Sequence, residues 1–162
     1  MRDSLSSAFL LLALLSTGGC GSKAPYEGKS AAQLERMLHD ASAAVQAQGA
    51  YGLSLLGPDA RSAVPTLIEA STTKDTIVRQ NSVLALGSIG PDARDAVPVL
   101  IQLLHDPEWT VRRQAALALG QIGPDAQAAV AELEKLSRDR DRLVRSAATQ
   151  AIPLIDPKRA HR

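Results

Sequence analysis

Apolar positions in this chain follow two alternating patterns that return every 33 residues. The first is short. In "AVPVLIQLL", Val97, Leu100, Ile101 and Leu104 share one face at helical spacing. The second is longer. In "TVRRQAALALGQI", Val111, Ala115, Ala118, Leu119 and Ile122 fall on one side. The spacing predicts two short helices, A and B, in each unit. Helix A starts near Val97, because Pro98 lacks an N–H and is tolerated only in a first turn. Helix B stops at Gly123, where glycine is expected to take the left-handed C′ conformation and Pro124 blocks continuation.

The stop signal itself repeats. "GPDARSAVP" at 57 returns as "GPDARDAVP" at 90 and "GPDAQAAVA" at 123. Residues 58–90 and 91–123 agree at 17 of 33 positions, which makes them tandem copies. Pro25, Pro58, Pro91, Pro124 and Pro157 are in phase, so four units occupy 25–57, 58–90, 91–123 and 124–156. Between the helix pairs, "GPDARDA" reads as a connecting turn.

The columns hold across units. Val45, Val78, Val111 and Val144 open the inward face of helix B, and Leu53, Leu86, Leu119 and Ile152 continue it. Gly52, Ala85, Ala118 and Ala151 keep an interhelical contact small. One helix pair cannot bury such a face alone, so stacking must close the core. End units are expected to differ. Unit one has Gln46 where the others have Arg79, Arg112 and Arg145. Unit four has Glu134 in the column of Ile68 and Ile101, and Pro153 in that of Gly87 and Gly120. Unit two has "ASTT" where unit three has "LLHD", so its A–B turn is expected to be the loosest joint.

Composition agrees. Apolar residues reach 45% while aromatics are only 2%, so small aliphatics must fill the interior, as closely packed helices allow. A net charge of +1 gives no global field toward nucleic acid. With one cysteine, no internal disulfide can form. The only strong charge bias is at the end: residues 138–162 hold seven Lys or Arg against three Asp. The basic tail 157–162 closes the chain.

The segments "VRQNSVLALGSIGPDA" and "VRRQAALALGQIGPDA", with the "AVPVLI" helix, resemble HEAT-like repeats of the phycobilisome-lyase type. The resemblance covers 25–156, with the helical repeats running from 30 to 156. It implies an all-α, right-handed superhelical solenoid of about four helix-turn-helix units, with B helices along the concave side. It also implies a ladder between adjacent units, because Asp106 and Arg112, like Asp139 and Arg145, stand six apart; Arg79 falls in the same column. One column, Tyr51, Leu84, Leu117 and Gln150, lies about 240° from the core valine at 100° per residue. With Gln80, Trp109 and Arg113, Tyr51, Leu84 and Leu117 are the candidate groove for a protein partner; Tyr, Trp and Arg are enriched at binding hot spots. The alternative is that Leu84 and Leu117 complete helix packing and Trp109 covers a loop.

The N-terminal stretch has a different character. Arg2 precedes an apolar run from Ala8 to Leu15, too short for a bilayer, and small residues lead to Cys20. "STGGC" resembles a bacterial lipobox. The resemblance implies removal of 1–19, lipidation of Cys20, a short linker over 20–29, and a lipid-anchored place in the bacterial cell envelope. Gly21 after the cysteine implies the outer membrane.

Other motifs carry less chemistry. "YEGKS" ends like a phosphate loop, but position 23 is Lys23 where a glycine is needed. Ser30 and Gln33 instead fit a capping box. His39 and His105 share a register two units apart, too far for one ion, because helix layers lie about 8–10 Å apart. No acid–base, metal or cofactor constellation emerges, and no nucleic-acid surface. The expectation is a non-catalytic, membrane-tethered interaction module. The alternatives are an enzyme of the bilin-lyase or metal-hydroxylase kind and a self-associating envelope protein.

Overall fold

The computed structural model describes residues 24–159; Cys20, the apolar run before it and His161 lie outside them. Eight α-helices alternate between two lengths. The short A helices are α1 (Ala31–Met37), α3 (Val64–Ala70), α5 (Val97–Leu103) and α7 (Val130–Leu136). The long B helices are α2 (Ala43–Leu56), α4 (Thr76–Ile89), α6 (Trp109–Ile122) and α8 (Arg142–Ile155). Every A helix has 7 residues and every B helix 14. Among the described residues there is no strand. The result is an all-α solenoid of stacked helix pairs.

The core is the set of columns read from the sequence. Val78, Val111 and Val144 are fully buried, as are Leu53, Leu86 and Leu119. Val45 and Ile152, in the end units, are half-buried because each has a neighbour on one side only. Each fully buried aliphatic contributes roughly 1.5–3 kcal/mol before ordering costs.

The units are joined mainly through their B helices, which pack directly on one another (α2 on α4, α4 on α6, α6 on α8). Glycine makes that approach close. A Cβ at Gly87 would stand 3.1 Å from the Ala118 Cβ, and one at Gly120 would stand 3.1 Å from the Ala151 Cβ. A helices pack on their own B helices and on the segments between units, α3 and α5 among them. The B helices thus form the directly stacked layer, and its open side is the inner surface.

Two local expectations are corrected. The connecting turn "GPDARDA" is wound as short 3₁₀ pieces over Gly57–Ala63, Gly90–Ala96 and Gly123–Ala129, with a kink at Ala93 (φ −93°, ψ 18°) and at Ala126 (φ −88°, ψ 18°). Its alanines, such as Ala93 and Ala96, are buried. The terminating glycines have positive φ but not the left-handed helical conformation. Gly90 has φ 75° and ψ −137°, which turns the chain directly into the 3₁₀ segment. In the unit-two A–B turn the Ser71, Thr72 and Thr73 hydroxyls donate to the Ile68, Glu69 and Ala70 carbonyls at the end of α3.

Both ends are closed differently from the middle. At the N-terminus Ser30 and Gln33 form the expected reciprocal capping box. The preceding turn lays Tyr26 against α2, where a Cβ at Gly52 would lie 2.8 Å from the Tyr26 Cβ. At the C-terminus Thr149 is exposed in the column where Ala50, Val83 and Ala116 are fully buried. Pro153 sits inside α8 without shortening it. A proline so close to the helix end removes few backbone bonds.

Candidate functional site

Two constructions stand out: a ladder that fixes the units, and the inner surface that the ladder holds in place. In the ladder, Arg79 donates from Nε to Asp106 Oδ2 at 3.0 Å and from Nη2 to Oδ1 at 3.2 Å. Arg112 does the same to Asp139 at 2.9 and 3.2 Å. The third nitrogen of each fork, Nη1, closes its own unit. Arg112 Nη1 donates to the Asp106 carbonyl at 2.8 Å and the Pro107 carbonyl at 3.0 Å. Arg145 Nη1 donates to the Asp139 and Arg140 carbonyls.

This changes the pairing expected from the six-residue spacing. Arg112 does not bind the Asp106 carboxylate. It binds the backbone carbonyl of Asp106 and the carboxylate of Asp139 one unit on. The reason is geometric: Asp106 Oδ1 already accepts from the Glu108 N–H and the Asp106 side chain points back toward α4. The chain of contacts runs Arg79, Asp106, Arg112, Asp139, Arg145. Arg145 ends it with no carboxylate partner among the described residues. Between units one and two the rung is absent on both sides. Gln46 donates to the Asp40 carbonyl at 2.6 Å, and Thr73 stands where a carboxylate would accept.

Burial pushes the Asp139 carboxyl up, but the hydrogen bonds from Arg112 and the Asp141 N–H, with the charges of Arg112 and Arg140, outweigh it. The net effect lowers its pKa. A second inter-unit contact lies outside: His105 Nε2 stands 3.1 Å from Glu132 Oε2. Lys135 bonds the other Glu132 oxygen, and the two partners lower the Glu132 pKa. His39 and His105 are both exposed, and only His105 has a carboxylate partner among the described residues.

The inner surface carries the candidate groove residues. Tyr51, Leu84 and Leu117 occupy one column on α2, α4 and α6. Tyr51 is 37% exposed and meets Tyr26 edge-on, ring centroids 5.2 Å apart. Leu84 and Leu117 are half-buried, and Leu117 packs partly on the core. The row is therefore open at unit one and shallower at units two and three. Gln80 and Arg113 are half-buried beside it. Trp109, 39% exposed, is the first residue of α6 and lies at the edge of the layer rather than in the row.

The groove reasoning missed four exposed leucines and isoleucines. Ile77 and Leu143 share a column at the B-helix starts, with Thr110 between them, and Leu55 and Leu154 share one near the helix ends, with Ser88 and Gln121 between them. The signal was available. Ile77 is seven residues before Leu84, and Leu55 is four after Tyr51, so all share the same helical face. Near Leu55, a cavity of about 450 Å³ is lined by Tyr26, Lys29, Leu34 and Leu56.

Among the described residues, no three His, Cys, Asp or Glu side chains are grouped to hold a metal. No helix there is long and apolar enough to cross a membrane.

The fold and its surface define a helical-repeat solenoid, and comparison with known proteins names its class. The HEAT-repeat family profile matches residues 31–95 and 91–153, so the chain belongs to the HEAT repeats. No curated protein matches significantly. Among solved structures, an engineered protein from the Northeast Structural Genomics Consortium is similar at 25% identity and TM-score 0.68, over 78% of this chain and 62% of that one. A designed armadillo repeat protein in complex with the peptide (KR)4 is similar at 19% identity and TM-score 0.68, over 76% and 63%. A computationally designed armadillo repeat protein for modular peptide recognition is similar at 20% identity and TM-score 0.66. The chain spans less than two thirds of each of these proteins.

Proposed function

We propose that this chain is a non-catalytic interaction module that holds a protein partner on the inner face of its solenoid, tethered to the bacterial envelope through a lipid on Cys20. The observation that carries the binding role is the inner surface itself. Four parallel B helices present Tyr51, Leu84 and Leu117 in one row, flanked by the exposed Ile77, Leu143, Leu55 and Leu154. An apolar surface repeated along a row and left open to solvent is what a partner covers. The peptide complex of a similar designed repeat protein supports a peptide segment as the bound element. The tether rests on residues 1–20 alone, with their charged start, short apolar run and "STGGC" end. Two acyl chains would suffice for stable anchoring.

The test of the binding role replaces Tyr51, Leu84 and Leu117 with serine. Circular dichroism should keep its helical signal while cross-linking to envelope proteins through the inner face is lost. Unchanged cross-linking would remove the groove from consideration. For the tether, Cys20→Ser should abolish labelling with radioactive palmitate and release the protein from the membrane fraction.

A further inference from the structure

We infer that the inner face takes a peptide segment with one apolar end and one acidic end, its carboxylates meeting Arg113 and Arg142 at units three and four. The inference rests on the reading of the inner face as the binding surface and adds the chemistry and direction of what binds. Its first support is an exclusion. The chain has 17 Asp and Glu, yet α2, α4, α6 and α8, four helices of 14 residues, contain none. A basic ligand lying along these helices would meet no carboxylate from them.

The positive charge is unevenly placed. Of the five B-helix arginines, Arg79 and Arg112 are committed to the ladder. Arg113 and Arg142 make no ion pair among the described residues; Arg145 belongs to the ladder column. Of the nearby acids, Asp139 is engaged with Arg112 and Asp141 with the first amides of α8, while Glu108 at the start of α6 is exposed and caps nothing. Unit one offers the opposite chemistry, with exposed Tyr51 and Leu55 and no charge on α2. An extended ten-residue segment reaches about 33 Å, comparable with four helices spaced about 10 Å apart. A peptide fits better than a lipid surface because the layer carries the amides Gln80, Gln121 and Gln150, which can both donate to and accept from a backbone.

The experiment uses the full chain and three fluorescent peptides, LLQLSQEDED, LLQLSQKRKR and LLQLSQNQNQ, in anisotropy titrations at about 50 mM salt, where charge is only partly screened. The acidic peptide should bind about tenfold tighter than the basic one, from about two exposed charge pairs. Arg113→Glu with Arg142→Glu should erase or reverse that order while helicity is kept. Equal or better binding of the basic or neutral peptide, still weakened by serine at Tyr51, Leu84 and Leu117, overturns the charge assignment and leaves the inner-face reading standing. Binding of none of the three overturns both. Binding of phosphatidylglycerol vesicles that the double variant loses, with no acidic-peptide binding, assigns the guanidinium groups to lipid and overturns the inference.

Discussion

Arg112 and Arg145 occupy the same place in successive units and differ in one respect, which makes the ladder measurable. Arg112 is 6% exposed and makes two hydrogen bonds to loop carbonyls and two to the Asp139 carboxylate. Arg145 makes the two carbonyl bonds only. Arg112→Ala strands the Asp139 carboxylate, whose side chain is 11% exposed, and leaves the Asp106 and Pro107 carbonyls without that donor. Breaking a buried pair by removing one partner costs about 3–5 kcal/mol. Arg145→Ala removes two partly exposed bonds and should cost about 1–2 kcal/mol. The difference, about 2–3 kcal/mol, is the price of one rung. For a chain of this size it corresponds to a fall in Tm of very roughly 6–10 °C. Urea unfolding followed by far-UV circular dichroism, with slopes compared, reads it directly. If Arg112→Ala costs no more than Arg145→Ala, the carboxylate rung contributes nothing and the account of how units are fixed is wrong.

Three further outcomes follow from the same geometry. Because the folded-state pKa of Asp139 is depressed, its contribution is present above the unfolded value of about 3.9 and is lost as pH falls through the folded value; Asp139→Asn should therefore flatten the loss of stability below about pH 4, measured by acid titration of the helical signal. Ser82 is fully buried with a hydroxyl that finds no partner, in a column where units three and four have Ala115 and Ala148. Ser82→Ala should raise stability by about 1 kcal/mol in urea melts, from a relieved hydroxyl and better helix propensity. Gly120→Leu should cost about 1–3 kcal/mol by overpacking against Ala151, despite gaining helix propensity, and a melting point at or above the parent would contradict the close B–B approach.

What was legible in the sequence was whatever the 33-residue period repeats. Val78, Val111 and Val144 must be inward because one face of each B helix recurs in every unit, and burial is a property of the column. The helix starts were legible for the same reason, since Pro98 and Ser30 act within one turn. Pairing across units was not. Arg112 stands six residues from Asp106 and 27 from Asp139, and spacing within a unit says nothing about which carboxylate the guanidinium edge meets after stacking. The 3₁₀ winding of "GPDARDA" was hidden too. Gly, Pro and Asp describe a turn equally well, and nothing in their order shows two 3₁₀ pieces meeting at a kink at Ala93. The groove was half legible. Periodicity placed Tyr51, Leu84 and Leu117 in one row, but whether a row stands open depends on the neighbouring helix, and that left Leu117 packed and Tyr51 open.

The positions that depart from the period carry the argument about function furthest. A repeat that only needed to stack could keep one sequence throughout, apart from its ends. Here the buried columns stay aliphatic while the inner face changes at each step: Tyr51, Leu84, Leu117, Gln150 in one row, and Ala47, Gln80, Arg113, Ser146 beside it. Stacking alone does not require this change, because these side chains are exposed or half-buried in three of the four units. It converts a symmetric scaffold into a surface with direction, apolar at one end and cationic at the other. A bound segment therefore has one favourable orientation. Interleaving the acidic probe as LEQDLSEQDL is the sharpest check of that direction, because composition, charge and length are unchanged while the apolar and acidic ends are lost. The segregated peptide should bind more tightly, and equal affinity for the two would mean that charge attracts the ligand without orienting it.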